Sequence, residues 1–273
     1  MSLNETQQIN ITTVQEKKRI KLARTFGYAS ESYDTSARLQ RFSGKHLLPW
    51  LPNRNDLTVL DLGSGTGFFT ELLASKYHNV IGLDLSRKML RFAKDTRTND
   101  ISWVEGDALS LPLQENSVDF IYSNLVIQWC EPLDVAISEM MRVLKPGGLL
   151  IFTTLMDGTL HELKSSWKQV DDDQHVIDFK TERELDDLFN TEVSSVYDKK
   201  SQDIVLEYEN VIHLARELKG LGANHLAKKK NRGLSGKDKW FKMSESYKDF
   251  LEPSGIYPAT YSLYSGLVVK LNT

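Results

Sequence analysis

Between residues 57 and 155, short β-branched or apolar runs alternate with amphipathic or turn-rich segments, and this alternation constrains the fold more than any other feature. The runs are Leu57–Leu62, Val80–Asp84, Ile101–Glu105, Val118–Ser123 and Leu149–Leu155. Helical spacing fills 68–77, 86–95 and 132–144, and a turn-rich stretch follows the third run. Strands separated by helices pair in parallel, with the helices covering both faces of the sheet. A composition of 40% apolar and 26% charged residues over 273 positions is enough to bury a real core. The longest apolar stretch, Gly148-Leu149-Leu150-Ile151-Phe152, is far too short to cross a bilayer. Residues 1–24 read polar and then basic, unlike a signal peptide. Cys130 is the single cysteine, which excludes an intrachain disulfide and a cysteine zinc cluster. The expectation is a cytoplasmic α/β protein.

The flanks follow other patterns. Residues 1–12 read as a loose tail, and 14–51 have helical spacing interrupted near Phe26-Gly27. Segment 159–190 is charged and helical, and holds the acidic run Asp171-Asp172-Asp173. Val193–Val196 and Ile204–Tyr208 read as two further strands, 209–220 as a helix, and Thr260–Leu271 as a closing strand. The formal net charge of −3 conceals a strong asymmetry. Segment 16–24 sums to +4 and segment 227–242 to +6, so the remainder carries −13. An acidic body bears two basic patches.

The strongest local signal is Val59-Leu60-Asp61-Leu62-Gly63-Ser64-Gly65-Thr66-Gly67, a strand that ends in a glycine turn. A phosphate-binding G-x-G-x-x-G loop does not fit, because its last glycine would fall on Phe68 or Thr70. Asp61 would also repel phosphate; an acidic glycine loop suits an ammonium or sulfonium instead. A tight connection is the ordinary alternative for such a turn. Asp84 ends the second run, 23 positions after Asp61, where a carboxylate can accept from both hydroxyls of a ribose. Ser86 after it reads as a helix cap. In Glu105-Gly106-Asp107-Ala108, Asp107 is placed to accept from an adenine amino group, with Leu85, Met89 and Ala108 flanking the ring. An ordinary turn residue is the alternative for Asp107 alone. Three acids at successive strand ends describe a pocket for an adenosine with a cationic tail and no phosphate.

This set resembles the class I S-adenosylmethionine-dependent methyltransferases. Asp61, Gly63, Ser64, Gly65 and Gly67 match their first motif, Asp84 their ribose acid and Asp107 their adenine-side acid. Arg142-Val143-Leu144-Lys145-Pro146-Gly147-Gly148 matches the turn into their fifth strand. The resemblance implies a Rossmann-like seven-stranded sheet whose last strand is antiparallel, with an N-terminal helical cover and an inserted lid. It implies S-adenosylmethionine as methyl donor and no metal, with Asn124 added to the cofactor residues. The expected division is 1–54 as tail and cover, 55–156 as cofactor-binding core, 157–190 as helical lid, and 191–273 as the rest of the sheet with a helix and the basic segment. All are parts of one structural domain.

A narrower resemblance covers residues 26–261. Phe26-Gly27-x-Ala29-x-x-x-Tyr33-Asp34, Leu39-Gln40-Arg41, Ser123-Asn124-Leu125 and Gln128-Trp129-Cys130 are similar to the malonyl-acyl-carrier-protein O-methyltransferases of biotin synthesis. So are Phe152–Leu155, Gly158-x-Leu160-x-Glu162-Leu163, Trp167, Leu218-Lys219-Gly220-Leu221-Gly222-Ala223-x-His225-Leu226 and Tyr257-Pro258-x-Thr260-Tyr261. At Tyr28 that family usually shows a basic residue, so another cation must replace it if it holds the substrate. The resemblance implies methyl transfer to the free carboxylate of a malonyl thioester, for the pimeloyl stage of biotin synthesis. A carboxylate of pKa about 4 is ionised at neutral pH, so no catalytic acid or base is expected. The implied substrate residues are Tyr28, Tyr33, Gln128, Trp129 and His161, with Arg41 and His225 as secondary contributors. The implied partner is an acidic acyl carrier protein bearing malonyl, or malonyl-coenzyme A, with Lys228, Lys229, Lys230 and Arg232 as docking cations and neither nucleic acid nor membrane involved.

Methyltransferases of adenine or of glutamine amides carry Asn/Asp-Pro-Pro-aromatic after the fourth strand, and Ser123–Cys130 lacks it. Two rival readings stay open at this level: a methyltransferase of a free small acid or quinone-like carbon, and a non-catalytic adenosylmethionine-binding protein. The first does not need a basic lid, and the second does not need intact Asp61, Gly63, Gly65, Gly67 and Asp84.

Overall fold

The chain begins as a helical cover and then builds a sheet. In this computed structural model, residues 3–98, 100–221 and 234–272 are described. Helix α1 (Leu3–Ser36) is followed by α2 (Arg38–Leu47). The alternating region forms β1 (Thr58–Leu62), α3 (Phe68–Ala74), β2 (Asn79–Asp84), α4 (Arg87–Thr96) and β3 (Ser102–Glu105). It continues as β4 (Val118–Asn124), α5 (Leu133–Val143) and β5 (Leu144–Leu155). Helices α6 (His161–Lys168) and α7 (Glu182–Phe189) precede β6 (Ser194–Tyr208) and α8 (Val211–Gly220). Helix α9 (Leu234–Ser246) leads to β7 (Tyr257–Lys270). The seven strands lie in the order β3-β2-β1-β4-β5-β7-β6, with β7 antiparallel to both neighbours. This is the Rossmann-like sheet that the resemblance implies. No helix among the described residues is long and apolar enough to cross a membrane.

Strand alternation divides the core. Leu60 and Leu62 of β1 pack on one face with Ile137 and Met140 of α5 and Phe189 of α7. Val59 points to the other face, with Leu47 of α2 and Phe69 and Leu73 of α3. Asp61 shares that second face by the two-residue period, which sets its environment. A third cluster joins Leu39 of α2 and Leu163 of α6 to Tyr247 and to Tyr261 and Leu263 of β7.

Three expectations need correction. α1 does not break at Phe26-Gly27: a β-carbon at Gly27 would lie 2.8 Å from Ser86 Oγ and 3.0 Å from Lys88 Cβ. The glycine lets α1 lie close against the start of α4, and the chain turns at Ala37 instead. The tail expected at 1–12 is helical backbone from Leu3 onward. Segment 159–190, expected to be helical, forms two short helices joined by a loop. The two strands expected between 193 and 208 are one strand, β6, kinked by a bulge between Val196 and Asp198. The bulge adds a residue and breaks the two-residue alternation, which hides continuity from a pattern search.

Polar contacts hold the cover and lid. Asp34 of α1 accepts from Thr66 Oγ1 at 2.5 Å and pairs with Arg97 at 2.7 Å, tying the cover to the glycine turn. Glu162 of α6 is buried and accepts from the Thr260 backbone and hydroxyl, tying the lid to β7. The acidic run at 171–173 meets part of the basic segment: Asp171 accepts from Lys239 Nζ at 2.7 Å and contacts His175 Nε2 at 2.6 Å, while Trp167 stacks on His175. Lys239 is therefore neutralised within the chain.

At Gly44, α2 sits on the sheet with no room for a side chain: a β-carbon would fall 2.3 Å from the Phe69 ring and 2.6 Å from the Tyr122 hydroxyl. That hydroxyl donates to the Gly44 carbonyl at 3.0 Å. We expect Gly44→Ala to cost about 1–3 kcal/mol by overpacking. A lowered urea midpoint with an unchanged slope checks this; an unchanged midpoint shows that α2 slides freely over β4.

Candidate active site

The strand order reverses between β1 and β4, so their carboxyl ends diverge and leave a crevice. A cavity of about 160 Å³ fills it, roofed by α1 and the lid. Gly63, Gly65, Asp84, Leu85, Met89, Asp107, Ala108 and Asn124 line it, as do Tyr33, Gln128 and Trp129. Most of the residues singled out from the sequence thus converge on one space.

The glycine turn has two different reasons for its glycines. Gly63 has φ +74°, and a β-carbon there would fall 2.2 Å from Val126 Cγ2. Gly65 has φ +54°, and a β-carbon would meet only a carbonyl oxygen at 4.0 Å, so its place is open to the cavity. Gly67 does not line the cavity; it packs α3 beneath Trp103, whose ring would lie 2.6 Å from a β-carbon.

Asp84 accepts from the Gly65 amide at 2.9 Å through one oxygen and from the Ser86 amide at 2.7 Å through the other. Each oxygen keeps a lone pair for a further donor. Burial raises its pKa to about 6, against the pull of the two amides. Asp107 accepts from the Leu109 amide at 2.9 Å and from Arg19 Nη1 at 2.8 Å. Met89, Leu85 and Ala108 give the space between the two acids apolar walls.

Asp61 lies behind the glycine turn, on the α2–α3 face, and not in the main cavity. It accepts from Thr70 Oγ1 at 2.5 Å, and burial raises its pKa to about 7, with Asp84 adding to the rise. It lines a second cavity of about 50 Å³ with Ser64, Arg41 and Gln40, and this space shares Gly63, Gly65, Gln40 and Asn124 with the first. Ser64 Oγ and Gln40 Oε1 are buried there without a hydrogen-bond partner among the described residues. Arg41 donates to the Asp34 carbonyl at 2.6 Å and sits over the Phe68 ring.

On the opposite wall, Asn124 is a fixed strut. It donates to the Gln40 carbonyl and accepts from Ser43 and Thr153. Leu125 follows with φ +56°, a conformation that costs a branched side chain energy and turns the chain sharply out of β4. Gln128 donates to the Leu125 carbonyl at 2.9 Å and accepts from Thr154, while Trp129 meets Phe26 edge-on at 5.5 Å. The Tyr33 hydroxyl is pushed up by burial and by Asp84 and Asp34. Burial, then Asp107, raises the Cys130 thiol to about 12, so it stays protonated.

Two expected substrate residues lie elsewhere. Tyr28 is 78% exposed on the outer face of α1, with the Lys88 ammonium 4.1 Å over its ring. It follows the inward-facing Phe26 by two residues, which on a helix is the opposite side. His161 is exposed beside Phe250 and lines none of these cavities; the buried residue at that point is Glu162. Lys228, Lys229, Lys230, Arg232 and His225 lie outside the described residues. Conversely, Arg19, Leu22 and Phe26 were missed as lining residues. They recur with Tyr33 at helical spacing, a signal obscured by reading a break at Phe26-Gly27.

The Methyltransferase domain family model matches residues 60–152. A malonyl-[acyl-carrier protein] O-methyltransferase of Yersinia pestis is 36% identical over 91% of both chains. The biotin biosynthesis bifunctional protein BioHC of Cellvibrio japonicus is 40% identical over 95% of this chain, which spans about half (51%) of that relative's length. Among solved structures, the YcgJ protein of Bacillus subtilis superposes with a TM-score of 0.58 at 18% identity, covering 85% of this chain and 100% of that one, and supports the fold alone. A methyltransferase domain on this sheet implies use of S-adenosylmethionine. The chain belongs to the malonyl-[acyl-carrier protein] O-methyltransferase family.

Proposed function

We propose that this chain transfers a methyl group from S-adenosylmethionine to the free carboxylate of a malonyl thioester carried by an acidic acyl carrier protein. The observation that carries the reading is the make-up of the main cavity. It joins a half-buried, half-satisfied carboxylate at Asp84 to a substrate wall that offers no histidine among the described residues. Such a site can bind and orient, and an ionised carboxylate nucleophile needs nothing more.

The residues fit the donor. Asp84 has lone pairs left for the two ribose hydroxyls, and Asp107 for an adenine amino group, with Leu85, Met89 and Ala108 against the ring. Gly63 and Gly65 allow the close approach of the amino-acid arm. Asp61, behind Gly65, supplies negative potential for a cationic ligand. Bound there, S-adenosylmethionine supplies a methyl group on positively charged sulfur.

Catalysis then falls to positioning. Tyr33, Gln128 and Trp129 border the space in front of the glycine turn, and Gln128 is held rigid at both ends of its amide. α1 and the lid exclude water, which favours partners whose opposite charges disappear as the bond forms. Alignment of this kind is worth up to about 7–11 kcal/mol in favourable cases. Arg19 is the one lysine or arginine that lines the main cavity among the described residues, and Asp107 holds it. Lys228, Lys229, Lys230 and Arg232 enter this reading as candidates for contact with the same acidic partner.

Offering labelled S-adenosylmethionine together with malonyl-carrier protein, malonyl-coenzyme A or free malonate should label the thioesters and leave malonate bare. Absence of label on both thioesters overturns the reading. Asp84→Asn should weaken binding of the methyl donor by about 10- to 150-fold, the worth of a charged hydrogen bond, without changing thermal stability much.

A pH dependence follows from two acids. Their pKa values in the fold, about 7 for Asp61 and about 6 for Asp84, stand above the ordinary 3.8. They hold protons that the unfolded chain has released, so their contribution to stability is complete below about pH 4 and is lost as pH rises through 6–7. A cationic ligand favours the ionised forms. Affinity for S-adenosylmethionine should therefore rise between pH 5.5 and about 7.5, with protons released on binding. Calorimetry in buffers of different ionisation enthalpy measures that release; zero release removes both acids from the cationic role.

A further inference from the structure

The basic segment at 16–24 takes no part in the chemistry above apart from Arg19, and the structure lays Lys18, Arg19, Lys21 and Leu22 of it along a wide groove. Lys17, Lys21 and Arg24 follow one another on α1 at spacings of four and three residues, so they share one face of the helix. All three are exposed, and none has a carboxylate partner among the described residues. Their neighbours differ: Lys18 pairs with Glu131 at 2.9 Å, and Arg19 with Asp107 at 2.8 Å.

The groove has a volume of about 1100 Å³ and runs between α1, the start of α5, and the lid with α7. Leu133, Ile177, Leu185 and Leu188 give it apolar walls. Leu22, Gln128, Trp129 and Phe179 line both the groove and the main cavity, so one leads into the other. Most acids at its rim are already engaged: Glu131 by Lys18, Asp178 by Lys164, and Glu184 by Thr181 and Lys180. Lys21 and Asp134 line the groove without an ion pair among the described residues, and Lys17 and Arg24 extend the positive charge along α1 outside the lining.

We propose that the Lys17–Lys21–Arg24 face of α1 and this groove form the docking surface for the carrier protein. The partner's acidic surface lies on that face, and its thioester arm runs through the groove to the main cavity. Lys21, which lines the groove and has no ion partner among the described residues, is placed for the phosphate at the root of the arm. The arm beyond the phosphate is uncharged, which matches walls of Leu133, Ile177 and Leu188. Three cations without an ion pair among the described residues also steer an acidic partner toward this face.

This inference rests on the reading that the substrate is a malonyl thioester, and two substrates separate their failures. Initial rates on malonyl-carrier protein and on malonyl-pantetheine, which lacks both protein and phosphate, are compared for the wild type and the K17E/K21E/R24E variant. The variant should raise KM for malonyl-carrier protein about tenfold or more at low salt, with kcat kept. Its KM for malonyl-pantetheine should stay within about twofold, and high salt should narrow the gap between variant and wild type. Narrowing the groove with Leu188→Trp should raise KM for both thioesters while leaving the affinity for S-adenosylmethionine unchanged. Wild-type KM for the carrier protein in the charge-reversed variant overturns the docking face. An unchanged KM for both thioesters in Leu188→Trp overturns the groove as the path of the arm. Failure of the wild type to methylate either thioester overturns the parent reading instead.

Discussion

The reversal of strand order between β1 and β4 is the constraint on which the rest of this protein depends. To one side of the reversal the chain winds outward through β2 and β3, and to the other through β5, β7 and β6. Helices from the two halves leave on opposite faces, so nothing crosses the carboxyl ends of β1 and β4. A crevice there is a geometric consequence of right-handed crossovers in a parallel sheet. Three polar groups of the site hang from an edge of that crevice: Asp84 from β2, Asp107 from the turn after β3, and Asn124 from β4. The cover and the lid then close a space whose position the sheet has already chosen.

Electrostatics within the crevice follow from depth. Asp61 is buried and Asp84 half-buried in the same neighbourhood, and Asp84 adds to the cost of ionising Asp61. The backbone amides of Gly65 and Ser86 offset part of that cost at Asp84, whereas Asp61 has the Thr70 hydroxyl. A site built this way stores unfavourable negative potential until a cation arrives. At the outer edge the logic inverts: Arg19 already faces Asp107, and Lys17, Lys21 and Arg24 of α1 have no ion pair among the described residues. Acid at the reaction end and base at the approach end suit a cationic donor and an anionic acceptor that enter from different sides.

Legibility in the sequence followed the range of the forces involved. β1 to β5 and the glycine turn were readable because they rest on local patterns: short β-branched runs, a positive-φ turn, and amphipathic helices between strands. Asp84 and Asp107 were legible as acids at strand ends, because a strand end is a local event. Tyr28 and His161 were misplaced because motif membership says nothing about which side of a helix faces inward. Gly27 shows the same limit from the other direction. A glycine in a helical stretch reads as a break, yet here it permits contact with Ser86 and Lys88 on α4, some 60 positions away in sequence. The lid was legible as charged and helical but not as two helices, because the clasp among Trp167, His175, Asp171 and Lys239 joins distant segments.

By itself the sequence determined the alternating sheet, the acids at the ends of β2 and β3 and the family, because periodicity, turn chemistry and motif spacing are written within a few residues of one another. Tertiary structure alone decided that Asp61 stands behind the glycine turn rather than in the main cavity, since strand alternation fixes its face and only packing tells which face is which. It alone decided that Arg19 closes on Asp107 and that Lys239 is spent on the acidic run, while Lys17, Lys21 and Arg24 find no carboxylate among the described residues. Charges can be counted along a chain. Which of them cancel depends on distances of a few ångströms between residues far apart in sequence, and those distances exist only in the fold.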